Sequence, residues 1–379
     1  MDQLYAMIFR MAVLLLFIFI SGCAHLTLPV SGSLPEGAVI TWVGRVDAHA
    51  PFALDVKGET VAFVNNGLRI RELGSGREWT VSSNIPTALA WSPDGKRLAA
   101  AFEKENEAVL RLYERPGNVV AEAHLFGRVN GLAWRSTEEL LAFAMIKKQY
   151  SFGANLAELL YRWDGKGEPT ATPLYNTTLK PTTLKQLDGV LERMLTFSLS
   201  PGLDEILYIQ MHDPPLFSTY TKLVLRHLDS GKERELAEIP VGSAGGVFSS
   251  DGERILYGND EKESQQIDPR GNGGIAVIPT PRQEIALSFS GRYLLLDGHL
   301  YRRGVEIASF PSATVGRFAA QAGRLAVVCG EQLYLVSGLP EESPPAVVPA
   351  AAKRLRQPRK SLSDGLISPQ EYNAVREKT

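Results

Sequence analysis

One unit of sequence recurs along this chain and narrows what it can fold into: an apolar strand, a tight turn, and a second apolar strand. Ala88–Leu98 (ALAWSPDGKRL) is the clearest copy, Gly246–Leu256 (GVFSSDGERIL) repeats it closely, and Ile285–Leu294 (IALSFSGRYL) is a third. Phe52–Val61, Leu132–Leu140, Phe197–Ile206 and Arg317–Leu325 are weaker copies. The turns have a shared chemistry. Asp or Ser accepts local backbone hydrogen bonds, Pro presets φ, and Gly takes the positive φ that closes a hairpin. A further strand follows many of the copies, as at Ala108–Tyr113, Leu159–Trp163, Lys222–His227 and Gln332–Val336. Gly58 and Gly323 bracket six intervals, which sets a mean period of about 44 residues, the length of a four-stranded unit.

A unit of this size has two apolar faces and must stack on its neighbours to cover them. Short alternating strands on a fixed period therefore predict an all-β chain. We expect a seven-bladed β-propeller over residues 38–338, with six or eight blades as the alternatives. The Trp91-Ser-Pro-Asp-Gly95 and Ser249-Ser-Asp-Gly252 turns resemble those of the WD-repeat-like blades of the periplasmic TolB family. That resemblance implies a fold, and the fold serves many functions.

Two departures from the repeat carry further expectations. The interval from Leu132 to Phe197 is long. Thr183–Gln186 reads there as a capping box, with Leu184, Leu187 and Leu191 at helical spacing, which predicts a short rim helix weakened by Gly189. It is either a binding lid or a tolerated insertion. The last copy lacks an outermost strand before a Pro-rich stretch begins, whereas Gly37–Val46 is rich in β-formers and belongs to no other copy. Pairing Gly37–Val46 beside Gln332–Val336 would close the ring and cover an exposed strand edge. It would also let both chain ends leave from one side of the disc.

The first residues read as an address. Apolar residues make up 44% of the chain and charged residues 22%, a balance of neither a disordered chain nor a multi-span membrane protein. Met11–Ile20 is apolar, follows Arg10, and is too short to span a bilayer as a helix. Ile20-Ser-Gly-Cys23 then resembles the bacterial lipobox. The resemblance implies a signal peptide over 1–22, lipid attachment (palmitate and diacylglycerol) at Cys23, and a lipidated tether over 23–37. Two or three acyl chains anchor a protein stably. No Asp follows Cys23, which favours the outer membrane, facing the periplasm, in a Gram-negative cell. The second cysteine, Cys329, follows Ala326-Val-Val and reads as a buried, inert strand thiol.

Residues 339–352 are Pro/Ala-rich and read as a linker. Beyond them, Asp364, Gly365, Leu366, Ile367, Ser368, Glu371 and Tyr372 resemble the pattern of the short SHOCT domain. This implies a helical module over 353–379 that docks or self-associates; Pro358 departs from the pattern and interrupts its first helix. Five of the eight residues from Lys353 to Lys360 are basic, a solvated charge run or a contact for anionic lipid headgroups.

The sequence carries no catalytic constellation. Its six histidines are scattered without metal-ligand spacing, and neither a Gly-x-Ser-x-Gly elbow nor a Walker loop occurs. Gly271–Gly274 opens a strand rather than a helix, and His212-Asp213-Pro-Pro reads as a structural turn. The net charge of −2 argues against a nucleic-acid partner. The functional expectation is a non-enzymatic envelope protein without metal or cofactor. It would be held to the membrane through Cys23, would bind or scaffold a protein partner, and would self-associate through residues 353–379. The alternative is a propeller-channel enzyme, such as a metal-dependent hydrolase or lactonase. An enzyme of that kind should bring several Asp, Glu, His or Asn residues to its innermost strands.

Overall fold

The structure is a computed structural model that describes residues 30–340, apart from 48, 106, 116, 151–152, 187–196, 215–217, 240–245, 249–251, 253–254, 259–262, 268–273, 280–284, 289–291, 303–304 and 321–322. Cys23, the signal peptide, most of the tether and linker, and the 353–379 module lie outside the described residues.

The described strands form seven antiparallel sheets, numbered here in chain order, and each strand pairs with the next along the chain. Sheets 1 to 5 span 53–82, 86–126, 128–179, 198–239 and 246–279. Sheet 6 spans 285–309 and gains Ser31–Gly32 as a fifth strand; sheet 7 spans 313–337 and gains Val39–Arg45 as its fourth. Each of the seven sequence copies is the first hairpin of one sheet. The hairpins form because an apolar run, continuously buried in the second strand, meets a turn whose polar groups close on themselves. Ser92 N–H donates to Arg97 O and Arg97 N–H donates to Ser92 Oγ, at 2.8 and 2.9 Å. The same pair of bonds recurs at Ser200/Glu205 and at Ser288/Tyr293.

First strands of neighbouring sheets lie beside each other: 1 with 2, 2 with 3, 4 with 5, 5 with 6, 6 with 7, and 7 with 1. Sheets 3 and 4 meet through Thr170–Leu179 and Glu205–His212. The first strands are therefore innermost, and the sheets form a closed propeller. The core lies between sheets. Ala62, Leu68 and Ile70 of sheet 1 pack on Trp91, Leu98 and Phe102 of sheet 2. Phe63 of sheet 1 packs on Val328 and Leu333 of sheet 7, with Val43. Indole N–H groups also staple neighbouring sheets: Trp91 Nε1 donates to Ala53 O and Trp134 Nε1 to Ala90 O, both at 3.1 Å.

The predicted closing strand is present: Val39–Arg45 pairs antiparallel with Gln332–Ser337. The exit of the chain differs from expectation. Ser31–Gly32 turns onto Val305–Ser309 of sheet 6, so the two ends leave from neighbouring sheets. Strand direction also separates them. The face holding the second-to-third and fourth-to-first connections is called upper, and the other lower. Ser31 lies at the upper face, opposite Ser309, whereas Ser337 ends at the lower face, opposite Val39.

The long third interval has a cause besides an insertion. Leu140–Tyr150, Gly153–Trp163 and Thr170–Leu179 run 11, 11 and 10 residues, so sheet 3 projects above its neighbours. The rim helix is Pro181–Gln186, with Pro at the first helical position. Thr183 therefore lies inside the helix rather than at its cap. Its hydroxyl bonds Thr219 instead, at 3.1 Å. Leu187 and Leu191 lie outside the described residues.

Candidate functional site

Two regions gather ionisable groups. The first is a cleft of about 470 Å³ on the lower face, between the first turns of sheets 1 and 2. Asp55 is buried at its base. It accepts from Glu59 N–H at 2.7 Å, Thr60 N–H at 3.1 Å and Arg115 Nη2 at 2.8 Å. The Arg115 guanidinium also covers the Trp91 ring, 5.1 Å from its centroid. Burial alone would raise the Asp94 carboxyl, but the Ser92 hydroxyl, the Lys96 N–H and the cationic Lys96 and Arg97 outweigh it and hold it below its usual range. The buried charges thus satisfy one another. What remains for a ligand is the exposed, mixed-sign rim of Lys57, Glu59, Lys96 and Glu114. Such a cleft can hold a polar or charged segment, and its lining carries no nucleophile or histidine.

The second region lies between sheets 3 and 4 near the upper face. The Asp213 side chain is fully buried. It accepts from Lys180 N–H at 2.6 Å and Thr219 Oγ1 at 2.8 Å, and it pairs with Lys180 Nζ at 2.9 Å. Burial works to raise this carboxyl, and these donors together with Thr183 hold it below the usual range. Asp213 thereby pins the start of the insertion to sheet 4, the structural part the sequence reading gave to His212-Asp213. The His212 ring stacks on Tyr220 with centroids 5.0 Å apart. Burial and the nearby Lys222 ammonium push this imidazole below its usual value, so it is neutral at neutral pH.

Sequence reasoning missed Glu158. It is fully buried beside Leu156 and Leu160, in the apolar layer shared with Tyr208 and Met211. Neither carboxylate oxygen has a hydrogen-bond partner among the described residues. Burial drives its pKa well upward, so the carboxyl holds its proton to higher pH than a free glutamate does. The signal was available: Leu156, Glu158 and Leu160 alternate on one face of Gly153–Trp163.

The innermost strands complete the inventory. Among the described residues, the ionisable ones on these strands are Arg128 and Arg317. Among the described residues no three His, Cys, Asp or Glu side chains sit close enough to hold a metal ion. Cys329 is buried at the end of its strand, and burial raises its thiol to about 11. Cys23 lies outside the described residues.

Neither a protein-family model nor a curated protein matches the chain. Solved structures do. The Cps50 (Swd1) β-propeller domain of Myceliophteria thermophila superposes with a TM-score of 0.52 at 13% identity, over 79% of this chain and 99% of that one. Hydrazine synthase of Kuenenia stuttgartiensis gives 0.52 at 11% identity, over 78% of this chain and 98% of the matching one. Likeness at this identity shows the propeller fold and nothing finer.

Proposed function

We propose that this chain is a lipid-anchored envelope protein whose seven-bladed propeller binds or scaffolds other envelope components, with residues 353–379 as a docking or self-association module. The observation that carries the binding role is the composition of the innermost strands. General acid–base or metal chemistry at a propeller channel needs converging carboxylates or imidazoles, and among the described residues these strands offer two arginines and Asn130. Seven sheets, seven sequence copies and the contact of sheet 7 with sheet 1 support the blade number. The anchor rests on the lipobox at Ile20–Cys23, the TolB-like reading on the two Ser/Asp-Gly turns, and the SHOCT-like reading on Asp364–Tyr372.

The test of the address is metabolic. Labelled palmitate should enter the full chain and be lost on Cys23→Ser; continued labelling of that variant sinks the anchor. Crosslinking and affinity capture from intact envelopes should then recover a discrete partner of the anchored protein. Turnover of hydrolase or lactone substrates by the purified protein, without any such partner, would reverse the choice between binding and catalysis.

A further inference from the structure

Large apolar side chains stand exposed on the upper face at the junction of sheets 2 and 3. Ile85 is 59% exposed, Phe126 68% and Tyr150 48%. Ile85 immediately precedes the first strand of sheet 2, Phe126 ends its fourth strand, and Tyr150 ends the second strand of sheet 3. All three therefore sit at the same end of their sheets. Phe126 is tied to sheet 3, on whose second strand Tyr150 stands, while Ile85 lies at the inner edge of sheet 2. Tyr161 Oη of sheet 3 accepts from Phe126 N–H and donates to Phe126 O, each at 3.2 Å. A Cβ on Gly127 would meet the Met145 carbonyl oxygen at 2.6 Å, so only glycine lets Phe126 sit this close to sheet 3. From there Lys147, Lys148 and Tyr150 climb the projecting hairpin, all exposed, with Lys148 Nζ 5.7 Å from the Tyr150 ring centroid. Exposed apolar groups gathered at one end of two adjacent sheets suit a contact face.

The tether says which surface this face can meet. Ser31 lies at the upper face, across the ring on sheet 6. It is eight residues beyond Cys23, a reach of at most ~28 Å when fully extended. The charge around the patch is mixed: Lys147 and Lys148 are balanced by Glu105 and Glu107 at the turn beside Phe126. Contact there is thus driven by apolar and aromatic groups rather than by net charge. Tyr and Phe beside lysines that snorkel is the composition of a membrane interface. We propose that the upper face rests on the bilayer holding the lipid of Cys23, with Ile85, Phe126 and Tyr150 dipping into the headgroup region opposite the tether. The proposal rests on the lipid anchor. It orients the ring so that the lower face, with the Asp55–Arg115 cleft, points away from the membrane to partners.

The test uses the full lipidated chain in phosphatidylethanolamine–phosphatidylglycerol vesicles. An environment-sensitive fluorophore is placed on Phe126→Cys or on Tyr150→Cys, each with Cys329→Ser, and on Leu203→Cys at the lower face as the control. The labels at 126 and 150 should blue-shift on reconstitution and be quenched by lipid-borne quencher, and the label at 203 should do neither. The shift should persist in vesicles of phosphatidylcholine alone. Protein that fails to float with vesicles overturns the anchor and the docking together. Flotation with water-exposed labels at 126 and 150 overturns the docking alone. So does a shift already present without lipid that grows with protein concentration, which assigns the face to a second copy. A shift seen in native envelopes but not in pure vesicles assigns it to an envelope protein and likewise overturns the proposal.

Discussion

Leu203 occupies the turn position that Gly58 and Gly95 take in sheets 1 and 2. Its φ is +61°, against +66° and +67° for those glycines. A branched side chain there costs roughly 1–2 kcal/mol, less the entropy a glycine loses on folding. Leu203→Gly should therefore raise stability by about 1 kcal/mol, read as a higher denaturant midpoint at unchanged slope. A lower midpoint would mean that the leucine side chain matters more than its backbone. Glu158 is a second residue that works against the fold. Burial raises its carboxyl pKa in the folded state, and the titratable groups nearest in the adjoining strands are the Tyr175 and Tyr208 hydroxyls, both also raised. The folded chain thus keeps a proton that the unfolded chain releases. This contribution to stability is present at low pH and fades as pH rises above the unfolded glutamate value of about 4.3. Glu158→Leu should stabilise by roughly 1–3 kcal/mol, the cost of a buried polar group left unpaired. Its advantage over the parent should widen as pH rises above about 4.3, where the unfolded glutamate ionises. Thermal melts across that range decide it, and a pH-independent gap would place the proton elsewhere.

At the scale of elements, the closing strand is where two distant parts of the sequence meet. Val39–Arg45 covers the edge of Gln332–Ser337 and sends Val43 into the layer between sheets 7 and 1, with Val46 just beyond it. Trp42 Nε1 adds a 2.7 Å bond to Gln332 Oε1. Removing residues 37–46 bares a strand edge and takes away two buried valines, each worth roughly 1.5–3 kcal/mol. The unfolding transition should broaden and light scattering should rise. The first hairpins were legible because their turn residues are local: Ser92, Ser200 and Ser288 bond within five residues. The helix start was misplaced by three residues because Pro181 and the remote Asp213 fix it, not the Thr183–Gln186 pattern. The extra height of sheet 3 was hidden because an 11-residue strand and a shorter strand with a loop read alike in an apolar run.

At the scale of the whole molecule, the ring is held by contacts between sheets. The lower-face clamp on Asp229 of sheet 4 is an example: Arg135 of sheet 3 reaches it through both guanidinium nitrogens, at 2.8 and 2.7 Å, and Arg162 adds a third at 3.4 Å. Leu339 N–H donates to Gly323 O at 3.0 Å, and Leu339 is buried, so contacts with the ring continue past Gly338. A chain ending at Leu339 should keep the melting midpoint of the full protein and lose self-association or partner capture. A chain ending at Gly338 should melt somewhat lower, and a large loss in both would place the tail inside the ring. Sequence by itself determined the hairpin unit, its seven copies and its period, because alternation and turn chemistry act over a few residues. It also supplied the strand that closes the ring, by leaving one strand unassigned before the first copy and one strand missing from the last. Where the ends emerge, the sealing of Glu158 without a partner among the described residues, and the shared face of Ile85, Phe126 and Tyr150 came only with the folded ring. Those depend on strand direction and on which sheet packs against which, and residues tens of positions apart become neighbours only once the ring is closed.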